Sequence, residues 1–152
     1  MADDLLPIEK RVRVKLAPAA AFDLFTRDLS RWWPLASHSC AGAGALGVSF
    51  AEAVGGEVVE EARDGRRHVW GTLLAWEPPH RFAMTWHPGT DPAQATRLEL
   101  TFAAAEDGGT IVQLCHEGWA LRPDGAPVRH RYDQGWDTVL APYAAWAGGV
   151  TK

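Results

Sequence analysis

From Val48 to Trp119 the chain is cut into six β-prone runs by turn signals at hairpin spacing. The runs are Val48–Val54, Glu57–Ala62, Arg67–Trp76, His80–His87, Thr96–Ala104 and Thr110–Trp119. They are separated by Gly55-Gly56, Asp64-Gly65, Glu77-Pro78-Pro79, Pro88-Gly89 and Gly108-Gly109. Strands joined by such short connections pair with their neighbours as an antiparallel meander, because a parallel crossover needs a dozen residues or more.

The flanks add the other elements. Ile8, Val12, Val14 and Leu16 alternate with Glu9, Arg11, Arg13 and Lys15, so residues 8–16 read as a seventh, half-buried strand with Lys10 the one misfit on its apolar side. Pro18 suits the first turn of a helix over Ala19–Leu29, and Ser30-Arg31-Trp32-Trp33-Pro34 reads as a cap, a second short helical turn and a stop. Residues Ser37 to Gly47 are small and Gly/Ala-rich, the composition of a surface loop. After Arg122–Pro127, a helical period carries Tyr132, Trp136, Val139, Leu140, Tyr143 and Ala147 on one face of a helix from Val128 to about Ala147. Such a helix is roughly 30 Å long, enough to cross a sheet. Pro142 is expected to kink it and to let its end open for a ligand, and Gly135 is a second poor interior choice.

The order β, α, short α, six β, long α defines an α+β helix-grip fold. A seven-stranded curved antiparallel sheet wraps a long C-terminal helix, with two short helices between strands 1 and 2. Residues 1–152 carry no repeat and no linker, so one domain is expected. A curved sheet and a straight helix do not close on one another completely, and a cavity between them follows.

Eight tryptophans in 152 residues need housing in that arrangement, against two Tyr and five Phe. The net charge of −4 and the lack of a basic run argue against nucleic-acid binding. No apolar run reaches membrane-spanning length, and the acidic start Met1-Ala2-Asp3-Asp4 is not a signal peptide, so a soluble cytoplasmic protein is the expectation. Cys40 and Cys115 read as free thiols.

Several motifs occur in order along nearly the whole chain: Arg31-Trp32-Trp33-Pro34 with Ser37-His38-Ser39; Gly55-Gly56, Glu60, Asp64-Gly65 and Trp70-Gly71; Trp76 through Phe82 leading to Thr85-Trp86; and Gly109-Thr110, His116 through Trp119, Tyr132, Gly135-Trp136 and Leu140. With these the chain resembles bacterial members of the activator of heat-shock-protein-90 ATPase-like family. That family lies within the START-related SRPBCC superfamily, which shares the birch-pollen-allergen fold. The resemblance implies a range of roles: carriage of lipids and other hydrophobic ligands, polyketide cyclisation, and co-chaperone activity.

Strand parity selects candidate residues. Glu60, His68 and His116 are polar side chains on apolar faces, aligned with Val58, with Trp70, Thr72, Leu74 and Trp76, and with Val112 and Leu114 respectively. Glu60 must pair, protonate or meet water, because a bare buried carboxylate is costly. Its bland reading is a structural pair with a Tyr, His or Arg; its functional readings are a ligand anchor or an acid/base group. His68 and His116 could transfer protons near neutral pH, but a lone inward His more often serves the core. His116 and Glu117 point to opposite faces and cannot cooperate. The spacings His38-x-Cys40 and Cys115-His116 do not make a zinc site, and neither Ser37-His38-Ser39 nor the Gly42, Gly44, Gly47 run has the setting of a nucleophile elbow or phosphate loop.

Trp70, Trp76, Trp86 and Trp136, with Tyr132 and Tyr143, fall on faces that converge between sheet and helix. Rings with a few polar groups either fill a core or line a small-molecule site. The leading expectation is a cofactor-free protein binding a hydrophobic or aromatic small molecule through Glu60, His68, Trp70, Trp86, His116, Tyr132 and Trp136, with no catalytic residue and no metal. The alternatives are a chaperone-linked stress protein that binds a heat-shock ATPase, and a cyclase- or hydrolase-type enzyme using Glu60 with His68 or His116. A homodimer is the remaining partner considered.

Overall fold

The computed structural model describes residues 5–148 and the backbone of 150–151; the acidic start Met1–Asp4 lies outside the described residues. All seven expected strands form: β1 (Ile8–Val14), β2 (Ala45–Phe50), β3 (Glu57–Ala62), β4 (Arg67–Glu77), β5 (Arg81–Trp86), β6 (Thr96–Ala104) and β7 (Thr110–Glu117). A two-residue β8 (Val150–Thr151) adds to the outer side of β1. The strand order is β2-β3-β4-β5-β6-β7-β1-β8, antiparallel throughout. This curved sheet wraps α2 (Gly125–Trp146), while α1 (Pro18–Phe25) and short 3-10 turns at Leu29–Arg31 and Gly42–Gly44 join β1 to β2. No helix is long and apolar enough to cross a membrane among the described residues.

Alternation fails where strands bulge. In β4, Gly71 pairs with Val58 and Val69 with Val59, so Trp70 is an extra residue; Leu73 pairs with Met84 and Ala75 with Ala83, so Leu74 is another. Each extra residue bends the strand and increases its twist. The second bulge also reverses an expectation: Leu74, on the inward parity by strict alternation, is 46% exposed, and Leu73 is buried in its place. At Gly71 the backbones of β4 and β5 approach so closely that a Cβ would sit 1.7 Å from the Thr85 carbonyl oxygen. Only glycine fits there.

Other boundaries move for local reasons. The first helix stops at Phe25, not Leu29: the backbone leaves helical geometry at Thr26 (φ −108°, ψ −79°), the Thr26 hydroxyl takes the Phe22 carbonyl at 2.8 Å, and the next amide to bond back, that of Asp28, reaches five residues to Asp23. Strand β2 starts and ends earlier than the expected Val48–Val54, and contains an extra residue at Leu46. Lys10 does lie on the inward side of β1. Its ammonium reaches across to Asp133 and Asp137 of α2 (2.9 and 3.1 Å), one helical turn apart, so the misfit cation ties sheet to helix. Helix α2 continues through Pro142, and Tyr143 of the same turn donates its hydroxyl to the Ala21 carbonyl at 2.9 Å, joining the two helices.

The aromatic side chains separate into two populations. Phe22, Phe25, Phe50, Phe82 and Phe102 pack with Trp76 at centroid distances of 5.1–6.5 Å, and this end of the grip is filled. Trp76 and Tyr143 therefore belong to solid core and not to a cavity wall. Trp146, in the last turn of α2, is 56% exposed. Trp32 packs on Phe25 and Tyr143 and leads to Trp33, and Trp70, Trp86 and Trp136 gather beyond it.

Candidate functional site

Trp33, Trp70, Trp86 and Trp136 pack as one circuit of indoles, with Trp33 also 6.2 Å from Trp86 across it. Successive centroids are 5.2 Å (Trp33–Trp70), 5.5 Å (Trp70–Trp86), 5.4 Å (Trp86–Trp136) and 5.8 Å (Trp136–Trp33) apart. Four separate elements supply them: the turn after α1, β4, β5 and α2. The ring borders a cavity of about 240 Å³, whose other walls include Cys40, Tyr132, Gly135 and Val139.

Every indole N–H of the ring is committed to the protein. Trp33 donates to the His38 carbonyl (2.7 Å), Trp70 to Glu60 Oε1 (2.9 Å), Trp86 to Tyr132 Oη (3.1 Å) and Trp136 to His116 Nδ1 (3.0 Å). With their N–H groups committed, the indoles offer the cavity aromatic carbon, and the polar groups of its wall come from Ser37, His38, Ser39 and Tyr132.

Glu60 and His116 stand behind this ring and do not line the cavity. Glu60 is fully buried without a cation in hydrogen-bond contact. Its Oε1 accepts from the Cys40 amide (2.8 Å) as well as Trp70, and its Oε2 accepts from the Ala41 amide (2.8 Å). Burial works to raise its pKa, but the three N–H donors and the nearby His68 outweigh that and hold it below the usual carboxylate range. One carboxylate thus pins residues 40–41 over the sheet. The segment expected to be a plain surface loop is tied down and becomes a cavity wall.

His116 is also fully buried, and both ring nitrogens are used. Trp136 can only donate, so His116 Nδ1 accepts; Nε2 therefore carries the proton of the neutral ring and donates to Thr96 Oγ1 at 2.6 Å. Burial foremost, with the positive charge of Arg122, lowers its pKa to about 3. The imidazole packs on Trp119 and Tyr132 (centroids 4.4 and 5.0 Å), and Trp119 donates to the His116 carbonyl. No hydrogen bond joins Glu60 to His116. His68 is the cross-strand partner of Glu60, half-buried and away from the cavity lining.

Of the seven residues singled out by parity, Trp70, Trp86, Tyr132 and Trp136 therefore meet at one cavity, while Glu60, His68 and His116 do not line it. Trp33, Cys40 and Gly135 join the lining without having been selected. For Trp33 and Gly135 a signal existed. Trp32 and Trp33 are adjacent on a helical turn, about 100° apart, so both can face inward; and a glycine in a helix interior asks for a reason.

Two further groups define the cavity's chemistry. The Tyr132 hydroxyl accepts from Trp86, and no acceptor takes its own proton among the described residues. The Cys40 thiol is pushed up to about 11, mainly by burial and then by the charge of Glu60, so it is neutral. The opening is beside His38, Pro88 and Gly89, next to Tyr132 and Gly135 in the N-terminal half of α2. It does not lie at Pro142, where the sequence suggested entry.

A curved antiparallel sheet closed on a long C-terminal helix, with an aromatic cavity at one end of the grip, is the architecture of a helix-grip protein. The chain belongs to the family described as Activator of Hsp90 ATPase homolog 1-like protein, whose profile matches residues 15–145. Among solved structures, the chain is similar to one described as an anthrahydroquino-Gama-pyrone synthase, Txn09, complexed with SUM. The two are 31% identical over 95% of this chain and 99% of that one, with a TM-score of 0.63. It shares its fold with an HSP90 activator from Plasmodium falciparum (18% identity, 97% and 99% covered, TM-score 0.69). The Aha1 dimer from Colwellia psychrerythraea has the same fold (15% identity, 94% and 96% covered, TM-score 0.69). No protein with a curated description matches the chain in sequence.

Proposed function

We propose that this protein binds a compact, planar aromatic molecule of polyketide type in the indole-ringed cavity. The observation that carries this reading is Gly135. A glycine inside a helix costs about 1 kcal/mol relative to alanine, and here nothing in the protein requires it: a Cβ at this position would meet no atom within 4 Å. The space above Gly135 is the cavity itself. A site of about 240 Å³ is small beside the roughly 300–1,000 Å³ of typical ligand pockets. Size therefore favours fused rings over a long acyl chain, and so does a wall of fixed indole faces. The likeness to a synthase of an anthrahydroquinone–pyrone supports the same ligand class. The chaperone-activator reading draws on the family's description and on fold likeness at 15–18% identity, with no surface feature of this chain added to them.

The test is calorimetric titration with a hydroxyanthraquinone and with palmitate, on the wild type and on Gly135→Leu. Saturable anthraquinone binding in the wild type, lost in Gly135→Leu at unchanged circular dichroism, is the expected result. Absence of binding by the aromatic probe, or equal binding by the filled variant, would overturn the proposal.

A further inference from the structure

The indole-ringed cavity does not end at its mouth. It meets a second, outer cavity of about 360 Å³, and the two share His38, Pro88, Tyr132 and Gly135 in their walls. The outer one is bordered by Arg122 and Arg131. No carboxylate lines either cavity among the described residues, in a chain where acids outnumber bases 19 to 15. With Arg122 paired to Asp124 outside the lining, Arg131 is the cation that borders the outer cavity without a counter-ion among the described residues.

The two arginines are held differently. Arg122 is nearly buried, with its side chain 7% exposed. It donates through Nε and Nη2 to the exposed Asp124 (2.9 and 3.1 Å), which leaves Nη1 without an acceptor among the described residues. Arg131 is exposed and has no ion-pair partner among the described residues. Between them and the indoles stands the Tyr132 hydroxyl with its unclaimed proton. Burial raises the Tyr132 pKa, and the Trp86 hydrogen bond and the charges of Arg122 and Arg131 act against that rise.

We infer that the ligand is an acid: an aromatic body seated among the indoles, with a carboxylate or an acidic phenolate turned outward to Arg131, Arg122 Nη1 and the Tyr132 O–H. The inference rests on the aromatic-binding reading above and adds the polar end of the ligand. A guanidinium fork and a phenol proton converge on an anion as donors only, and a partly enclosed cavity strengthens each contact relative to open water. A neutral aromatic would leave those donors to solvent and forgo that gain.

Titrating 2-naphthoic acid and its methyl ester separates the two claims. In the wild type at neutral pH the acid is expected to bind about tenfold more tightly than the ester. Added salt should weaken only the acid. Arg131→Gln, an exposed position whose loss leaves the fold intact, should bring the acid down towards the ester and leave the ester unchanged. If acid and ester bind equally in the wild type, or if Arg131→Gln weakens both alike, the acidic-ligand inference is overturned while aromatic binding stands. If neither compound binds, aromatic binding itself falls and the inference with it.

Discussion

The indole N–H of Trp70 lies 2.9 Å from a carboxylate oxygen of Glu60, a buried anion held by three N–H donors and no salt bridge. Both residues are on adjacent strands, and the contact couples the cavity wall to the segment at residues 40–41. Glu60→Gln keeps the size but replaces one acceptor with an NH₂ that must face an N–H. Leaving buried donors unpaired costs about 1–3 kcal/mol. We expect a loss of this order in urea unfolding, together with weaker aromatic binding because Cys40 is released from the wall. A variant as stable as the wild type would show that the carboxylate is dispensable.

His116 makes stability pH-dependent. In the unfolded chain the imidazole titrates at its ordinary value near 6.5; in the folded protein it titrates at about 3. Below pH 6.5 the unfolded state binds a proton that the native state refuses, so stability falls as pH drops and is level above that point. The slope is about 1.4 kcal/mol per pH unit for one proton. The lowered pKa of Glu60 acts in the same direction: its contribution is present above about 4.5 and is lost as pH falls further. Denaturation midpoints from pH 8 to 4 should show a plateau, then a one-proton decline, then a steeper one. His116→Gln can accept from Trp136 and donate to Thr96, and should remove the decline between 6.5 and 4.5. Its persistence would assign that decline to another group.

Gly135→Ala separates stability from binding. Alanine restores helix propensity, and its methyl meets no atom, so unfolding free energy should rise by roughly 0.5–1 kcal/mol. The same methyl enters the ligand's space, and affinity for a hydroxyanthraquinone should fall. A destabilised Gly135→Ala would show that the room above residue 135 is not open.

Lys10→Met tests the sheet-to-helix ion pair. Asp133 and Asp137 keep side-chain exposures of 43% and 69%, so water solvates them once the cation is gone. The cost should therefore be below about 1 kcal/mol and smaller still in high salt. A loss comparable to that of Glu60→Gln would mean that the pair is far less hydrated than its exposure suggests.

Much of this architecture was legible in local pattern. Turn residues marked every hairpin from β2 to β7, and period two assigned the inward faces of β5, β6 and β7, where Phe82, Met84, Leu98, Leu100, Val112 and Leu114 are all buried. The candidate site was legible in part. Trp70, Trp86, Tyr132 and Trp136 could be named because each lies on an apolar face with a clear period. Trp33 was passed over, because its place beside Trp32 on a helical turn allows an inward direction but a short turn has too few residues to show a period. Leu74 was misassigned because a bulge shifts parity without any mark in composition.

By itself, then, the sequence determined the order of elements, their antiparallel succession and, where no bulge intervenes, the face each one turns inward, because these follow from backbone periodicity and short connections. Only the tertiary structure decided which inward residues touch one another. Folding put the phenylalanines and Trp76 at a filled end and Trp33, Trp70, Trp86 and Trp136 at an open one. It set Glu60 and His116 behind the ring as acceptors for Trp70 and Trp136, and it brought residues 40–41 from a distant loop onto Glu60. Periodicity tells a side chain which way to point; what it meets there depends on the bulges of β4 and the path of α2 across the sheet, and those are settled by packing.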